Sequence, residues 1–179
     1  MRYGSINEIF GNNQALRQRL LEVIADIKDG ETNVVPDGEG WSVGQIVEHV
    51  SIVNSGMAGI CGKLIEKARS AGAREADGLA ISDEFYANVR AMATRKAEAP
   101  ERVLPTGDVS IDESTRRLSM ATDAFNALRD AFESIDLSGP KFPHPYFGDL
   151  TAVEWFALSG LHERRHTDQI ERVLAKIRQ

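Results

Sequence analysis

Apolar residues recur at intervals of three and four along most of the chain, the spacing that lines one face of a helix. The first run starts at Ser5 and carries Ile6, Ile9, Phe10, Leu16, Leu20, Val23, Ile24 and Ile27, until Gly30 and Pro36 break it. A second opens with Trp41-Ser42-Val43-Gly44-Gln45, where Ser42 can cap the helix and Gln45 can reach back to it. Its stripe is Ile46, Val50, Val53, Met57, Ile60 and Leu64, running to about Ser70. Ser110-Ile111-Asp112-Glu113 repeats the capping logic, and Leu118, Ala121, Phe125, Leu128 and Phe132 carry the third helix toward Ser138-Gly139-Pro140. Thr151 with Glu154 announces the fourth helix, with Leu150 and Trp155 as the pair of a hydrophobic staple. Short alternating β-branched runs with tight-turn punctuation are missing, so no strand is expected. The prediction is an all-α four-helix bundle in one domain, residues 1–179.

The connection Ala71–Val109 is too long for a hairpin loop in a compact bundle. Within it SDEFYANVRAMATRKA (Ser82–Ala97) reads as partly helical, and Pro100 and Pro105 close it before Gly107. A long crossover between two shorter connections lets the second and third helices run parallel, in up-down-down-up order.

Composition narrows the function classes. Lys+Arg 21 against Asp+Glu 27 gives a net charge of -6 with no polybasic block, which argues against nucleic acid and anionic membrane surfaces as partners. No apolar run approaches the ~20 residues that span a bilayer, and MRYGSINEIFGNNQ lacks the charged start and apolar core of a secretory leader. A soluble cytoplasmic protein is expected. Cys61 is the single cysteine, so a thiolate zinc cluster within one chain is excluded and any metal must be held by histidine and carboxylate.

The stretch LHERRHTDQI, Leu161–Ile170, contains His162, Glu163 and His166 in the order H-E-x-x-H of zinc metalloproteases. At 100° per residue the two histidines stand about 40° apart, on the side of the fourth helix that also carries Trp155, Leu158, Ser159, Gln169, Ile170 and Val173. A zincin needs a third ligand downstream and a sheet edge to hold extended peptide. Only 13 residues follow His166, they read as continuous helix, and Glu171 points to the opposite face, so the protease reading is disfavoured. Glu163, among Arg164, Arg165, Glu171 and Arg172, is expected on a solvated charged face in a structural role.

A third ligand can come from upstream. His49 lies one turn from Ile46 and Val53 within the apolar arc of the second helix. A single histidine on an apolar face is ordinarily a satisfied core residue, and an i, i+4 pair alone is often surface decoration. Three inward-facing imidazoles from two helices are costly without partners, and a divalent metal supplies a common one.

Three segments, WSVGQIVEHV (Trp41–Val50), RKAEAPERVLPTGDVS (Arg95–Ser110) and HPYFGDLTAVEWFALSGLHERRHTDQIERVL (His144–Leu174), together resemble the DinB/YfiT-like superfamily, over nearly the whole chain. The joint pattern W-S-x6-H with H-x3-H-x2-Q carries the likeness. The resemblance implies an up-down-down-up bundle, usually a homodimer, with zinc or nickel held by three histidines falling on His49, His162 and His166. It also implies a metal-dependent enzyme acting on a small-molecule substrate, either a hydrolase using water or a transferase or isomerase using a low-molecular-weight thiol such as mycothiol or bacillithiol. The alternative is a noncatalytic bundle that binds metal or a small molecule.

Around the triad, Gln169 or Ser159 can hold a ligand imidazole. Gly56 either leaves room above a metal or allows close helix packing. Tyr86, Arg90 and Arg95 read as a solvated face, with an arginine as the alternative holder of an anionic substrate. His144, in Pro143-His144-Pro145-Tyr146, is expected to fix the approach to the fourth helix. No residue stands out as a catalytic acid or base.

Overall fold

The structure, a computed structural model, describes residues 2–28, 30–92, 95 and 97–179. In chain order these form α1 (Ile6–Ala25), α2 (Val43–Ser70), α3 (Asp83–Met92), a 3-10 turn (Glu101–Val103), α4 (Ile111–Ala127), α5 (Arg129–Ser134), β1 (Lys141–His144), β2 (Gly148–Thr151) and α6 (Ala152–Ile177). The bundle helices are α1, α2, α4 and α6, arranged up-down-down-up around the crossover that contains α3.

Each bundle helix begins where the side-chain chemistry permits. Ser5, Ser42, Ser110 and Thr151 hold extended backbone and accept a hydrogen bond from the amide three residues on. Ser42 with Gln45 and Thr151 with Glu154 complete reciprocal capping boxes. Ser110 does not, because the Glu113 carboxylate turns instead to Arg116 and Arg117.

α2 lies between α4 and α6, and α1 packs on α6. Their stripes close two apolar clusters. One gathers Ile9, Phe10, Met57, Phe125, Phe132, Trp155 and Phe156, with the Phe132 and Phe156 rings stacked at 5.0 Å. The other gathers Leu20, Val43, Ile46, Val50, Leu118, Ile170 and Val173. Between them every bundle helix contributes polar groups: Asn13 and Arg17 from α1, Asn54 from α2, Thr122 from α4, and Ser159 and Glu163 from α6. Arg17 binds both Glu163 oxygens, at 3.0 and 2.5 Å, and donates its third nitrogen to the Leu118 carbonyl and the Thr122 hydroxyl. A bidentate guanidinium–carboxylate pair is the geometry in which a buried ion pair offsets its desolvation.

Several sequence expectations need correction. A hairpin is present where no strand was expected: β1 pairs antiparallel with β2 from Lys141↔Thr151 to His144↔Gly148. Its strands are four residues long and mostly exposed, too short for alternation to show, and it is held from outside by the Trp155 indole N–H on the Phe142 carbonyl at 3.2 Å. The third predicted helix is also interrupted. Leu128 leaves helical pairing, with its N–H on the Phe125 carbonyl, and the chain restarts as α5, which carries Phe132 onto Phe156. Glu163 is 3 % exposed, not solvated, because Arg17 reaches it from a helix far away in sequence. Of the predicted stretch Ser82–Ala97, α3 covers Asp83–Met92, while Ala93, Thr94 and Lys96 lie outside the described residues.

Candidate metal centre

Helical spacing places His162 and His166 one turn apart on α6, and the packing of α2 against α6 brings His49 to them. The ring centroids are 4.4 Å apart for His162–His166, 4.9 Å for His49–His166 and 5.2 Å for His49–His162. One ring nitrogen from each lies within 4.8 Å of the others, close to the ~4 Å spanned by two Zn–N bonds end to end. Among the described residues these three form the one such group of histidine, cysteine or carboxylate ligands.

Hydrogen bonds select the free nitrogen on two of the rings. The Val103 carbonyl can only accept, so His49 carries its proton on Nδ1, 2.7 Å away, and its Nε2 lone pair is left free. His166 likewise places Nδ1 2.8 Å from Gln169 Oε1. His162 Nδ1 is buried without a hydrogen-bond partner. An orphaned buried ring nitrogen in a cluster of three imidazoles fits a divalent ion, which neutral imidazoles can ligate through a lone pair with no further protein proton.

Electrostatics favours the neutral, ligating form. Burial pushes the His49 imidazolium down, against the opposing bond to Val103. His166 is pushed to about 3 by burial and then by the His49 charge. His162 falls well below the ordinary histidine range through burial, the two neighbouring imidazoles, His144 and Arg165.

The surroundings divide into expected and unexpected parts. Gln169 holds His166, as the sequence allowed, whereas Ser159 donates to the Phe156 carbonyl and does not hold His162. Gly56 is exposed, and a Cβ there would meet nothing within 4 Å, so it serves no close packing. Tyr86 is buried, not solvated, and its hydroxyl accepts the Tyr3 amide. His144 stays outside the triad: its Nδ1 accepts the Tyr146 amide at 3.1 Å and its ring packs on Trp155 at 5.1 Å, which ties the hairpin to the start of α6. Arg90 and Arg95 hold no carboxylate among the described contacts, but the Arg95 carbonyl accepts from Arg165, the residue just before His166. Arg165 also donates to the Met92 carbonyl and so fastens the crossover over α6.

Sequence reasoning missed two features. One is the Val103 carbonyl, which no side-chain pattern can reveal. The other is Glu48, fully buried beside His49, whose carboxylate accepts from the Thr106 amide and hydroxyl, both at 2.9 Å, and the Gly107 amide at 2.8 Å. A charged residue between Val47 and His49 near an apolar stripe was the available signal. Trp41, the aromatic letter of the W-S motif, packs on the His49 ring at 4.9 Å.

Comparison with known proteins agrees with this arrangement. An uncharacterised protein of Bacillus subtilis (strain 168), YuaE, is 25 % identical over 152 residues, covering 84 % of this chain and 88 % of that protein. The crystal structure of TT2238, a four-helix bundle protein, superposes with a TM-score of 0.60 at 17 % identity, over 93 % of this chain and 98 % of the other, and shows the shared fold. The model of the DinB superfamily matches residues 13–170, from the polar layer of α1 through both histidine-bearing helices, and the chain belongs to that superfamily.

Proposed function

We propose that this single-domain protein is a metal-dependent enzyme in which His49, His162 and His166 hold one divalent ion, zinc or nickel, beside a small-molecule substrate. The convergence of three neutral-biased imidazoles from two helices, one with a buried and unpartnered nitrogen, is the observation that supports it. An ion held by three uncharged ligands keeps its +2 charge and supplies Lewis-acid chemistry at a remaining coordination position. The chain's own part is to keep the rings neutral and to fix two of them through Val103 and Gln169. Both Glu163 oxygens are bound to Arg17 on α1, so Glu163 does not act as a protease base. The nucleophile in this reading is water or a low-molecular-weight thiol of the mycothiol or bacillithiol class.

Elemental mass spectrometry on protein purified without a chelating tag tests the centre. The parent carries about one divalent ion per chain and His49→Ala loses most of it. A metal-free parent after growth in metal-replete medium overturns the reading. Cobalt substitution then separates the two function classes: an exchangeable water or thiol at the cobalt supports an enzyme, and a closed coordination sphere supports a structural or binding role.

A further inference from the structure

Among the described residues no cationic side chain is bonded to the Glu48 carboxylate. Its three hydrogen-bond donors all come from Thr106 and Gly107, at the end of the crossover. Two amides and a hydroxyl aimed at its two oxygens form the donor pattern that a carboxylate anion accepts. Gly107 presents its amide from a left-handed conformation, φ +83°, which a side chain would strain. Asp108 N–H closes the turn on the Thr106 hydroxyl at 3.2 Å.

The gripped turn is joined to the His49 contact by a short, stiff connection. Val103 ends the 3-10 turn, whose amides close on the Pro100 and Glu101 carbonyls. Leu104 is extended at φ -66°, ψ 139°, as the residue before a proline must be, and Pro105 fixes the next φ. Two residues, Leu104 and Pro105, therefore separate the carbonyl on His49 from the first amide on Glu48. Both anchors belong to adjacent residues of one helix, so the loop cannot slide along α2 without breaking one of them.

We propose that Glu48 is a positioning residue of the metal centre: by gripping Thr106 and Gly107 it holds the Val103 carbonyl against His49 Nδ1 and thereby fixes the tautomer and direction of that ligand. The inference rests on the metal-centre reading for its functional meaning, while its structural content, the His49 tautomer, stands without a metal. Outer partners of metal-bound histidines set ring orientation and basicity, and their loss typically weakens metal binding about 10–100-fold.

Glu48→Gln is the direct test. The amide keeps the shape but offers one acceptor oxygen where the loop presents three donors, and its NH2 faces an N–H or the hydroxyl. Nitrogen NMR of the metal-free protein reads the tautomer, and competition with a chromophoric chelator reads zinc affinity. In the parent His49 is protonated at Nδ1; in Glu48→Gln that tautomer loses its dominance and zinc binds at least ~10-fold more weakly. Thr106→Val, which removes the hydroxyl that donates to Glu48 and accepts the Asp108 amide but keeps both backbone donors, shifts both readouts in the same direction by less, and it serves if Glu48→Gln does not fold. Retention of the Nδ1–H tautomer in the folded variants overturns the proposal. A parent that binds no zinc overturns the metal-centre reading instead and leaves the tautomer comparison to decide the role of Glu48.

Discussion

Gly160 is where α1 and α6 come closest to forbidding a side chain. A Cβ there would run into Oδ1 and Cγ of Asn13, whose amide nitrogen donates to the Phe156 carbonyl at 2.8 Å. Asn13 must give up that bond to make room. Gly160→Ala is expected to lower unfolding stability by about 1–3 kcal/mol, the usual cost of overpacking, despite the better helix propensity of alanine. Denaturant unfolding measures it, and adding Asn13→Ala recovers part of the loss, since the two changes share one contact. None of this was legible in the sequence, where Gly160 is a small residue in an apolar run. His49, His162 and His166 were legible because a helix converts spacing into direction. Whether a direction ends on a carbonyl, a guanidinium or empty space depends on a second segment, and the period of the first contains no information about it.

Arg17 and Glu163 carry the same point to the packing of helices. Their ion pair ties α6 to α1, and Arg17 extends the tie to α4 through Leu118 and Thr122. Removing one partner leaves a buried charge unpaired, so Glu163→Ala is expected to cost about 3–5 kcal/mol in urea unfolding. Replacing both by apolar residues, Arg17→Met with Glu163→Leu, costs clearly less than Glu163→Ala alone. Because Glu163 faces α1 and the histidines face α2, the folded Glu163→Ala protein keeps the parent's metal content, which elemental analysis at equal folded concentration checks. The starts of α2 and α6 could be read from Ser42 with Gln45 and Thr151 with Glu154, since capping is local. The break at Leu128 and the β1–β2 hairpin could not, because Phe156 and Trp155, which stabilise them, lie in another helix.

For the molecule as a unit, the last turn of α6 is stitched to the α1–α2 connection by charge. Glu39 meets Arg172 and Lys176, and Glu31 meets Arg178, which also binds Asp26. These bonds lower Glu31 and Glu39 to about 2 from an ordinary 4.5. A carboxyl depressed on folding contributes fully above its unfolded value and loses that contribution as pH falls through the folded one. Relative to each amide's intrinsic rate, hydrogen exchange at Leu174–Arg178 is therefore expected to speed up between about pH 5 and pH 2, ahead of the buried middle of α6. The acceleration starts at higher pH in salt, which screens such exposed pairs. No helix among the described residues is long and apolar enough to cross a membrane. The crossover presents the opposite case, a segment pinned at both ends by groups that lie outside it. Glu154 accepts from the Ser82 amide and hydroxyl at one end, and Glu48 grips Thr106 and Gly107 at the other. Once its ends are fixed, doubling the length of a flexible loop costs only ~0.6 kcal/mol. Phe85 and Tyr86 bury α3 in the core, so the part open to lengthening or shortening is the run from Ala97 to Pro100 before the 3-10 turn: changes there reshape what approaches the histidines while the helices that carry them keep their places.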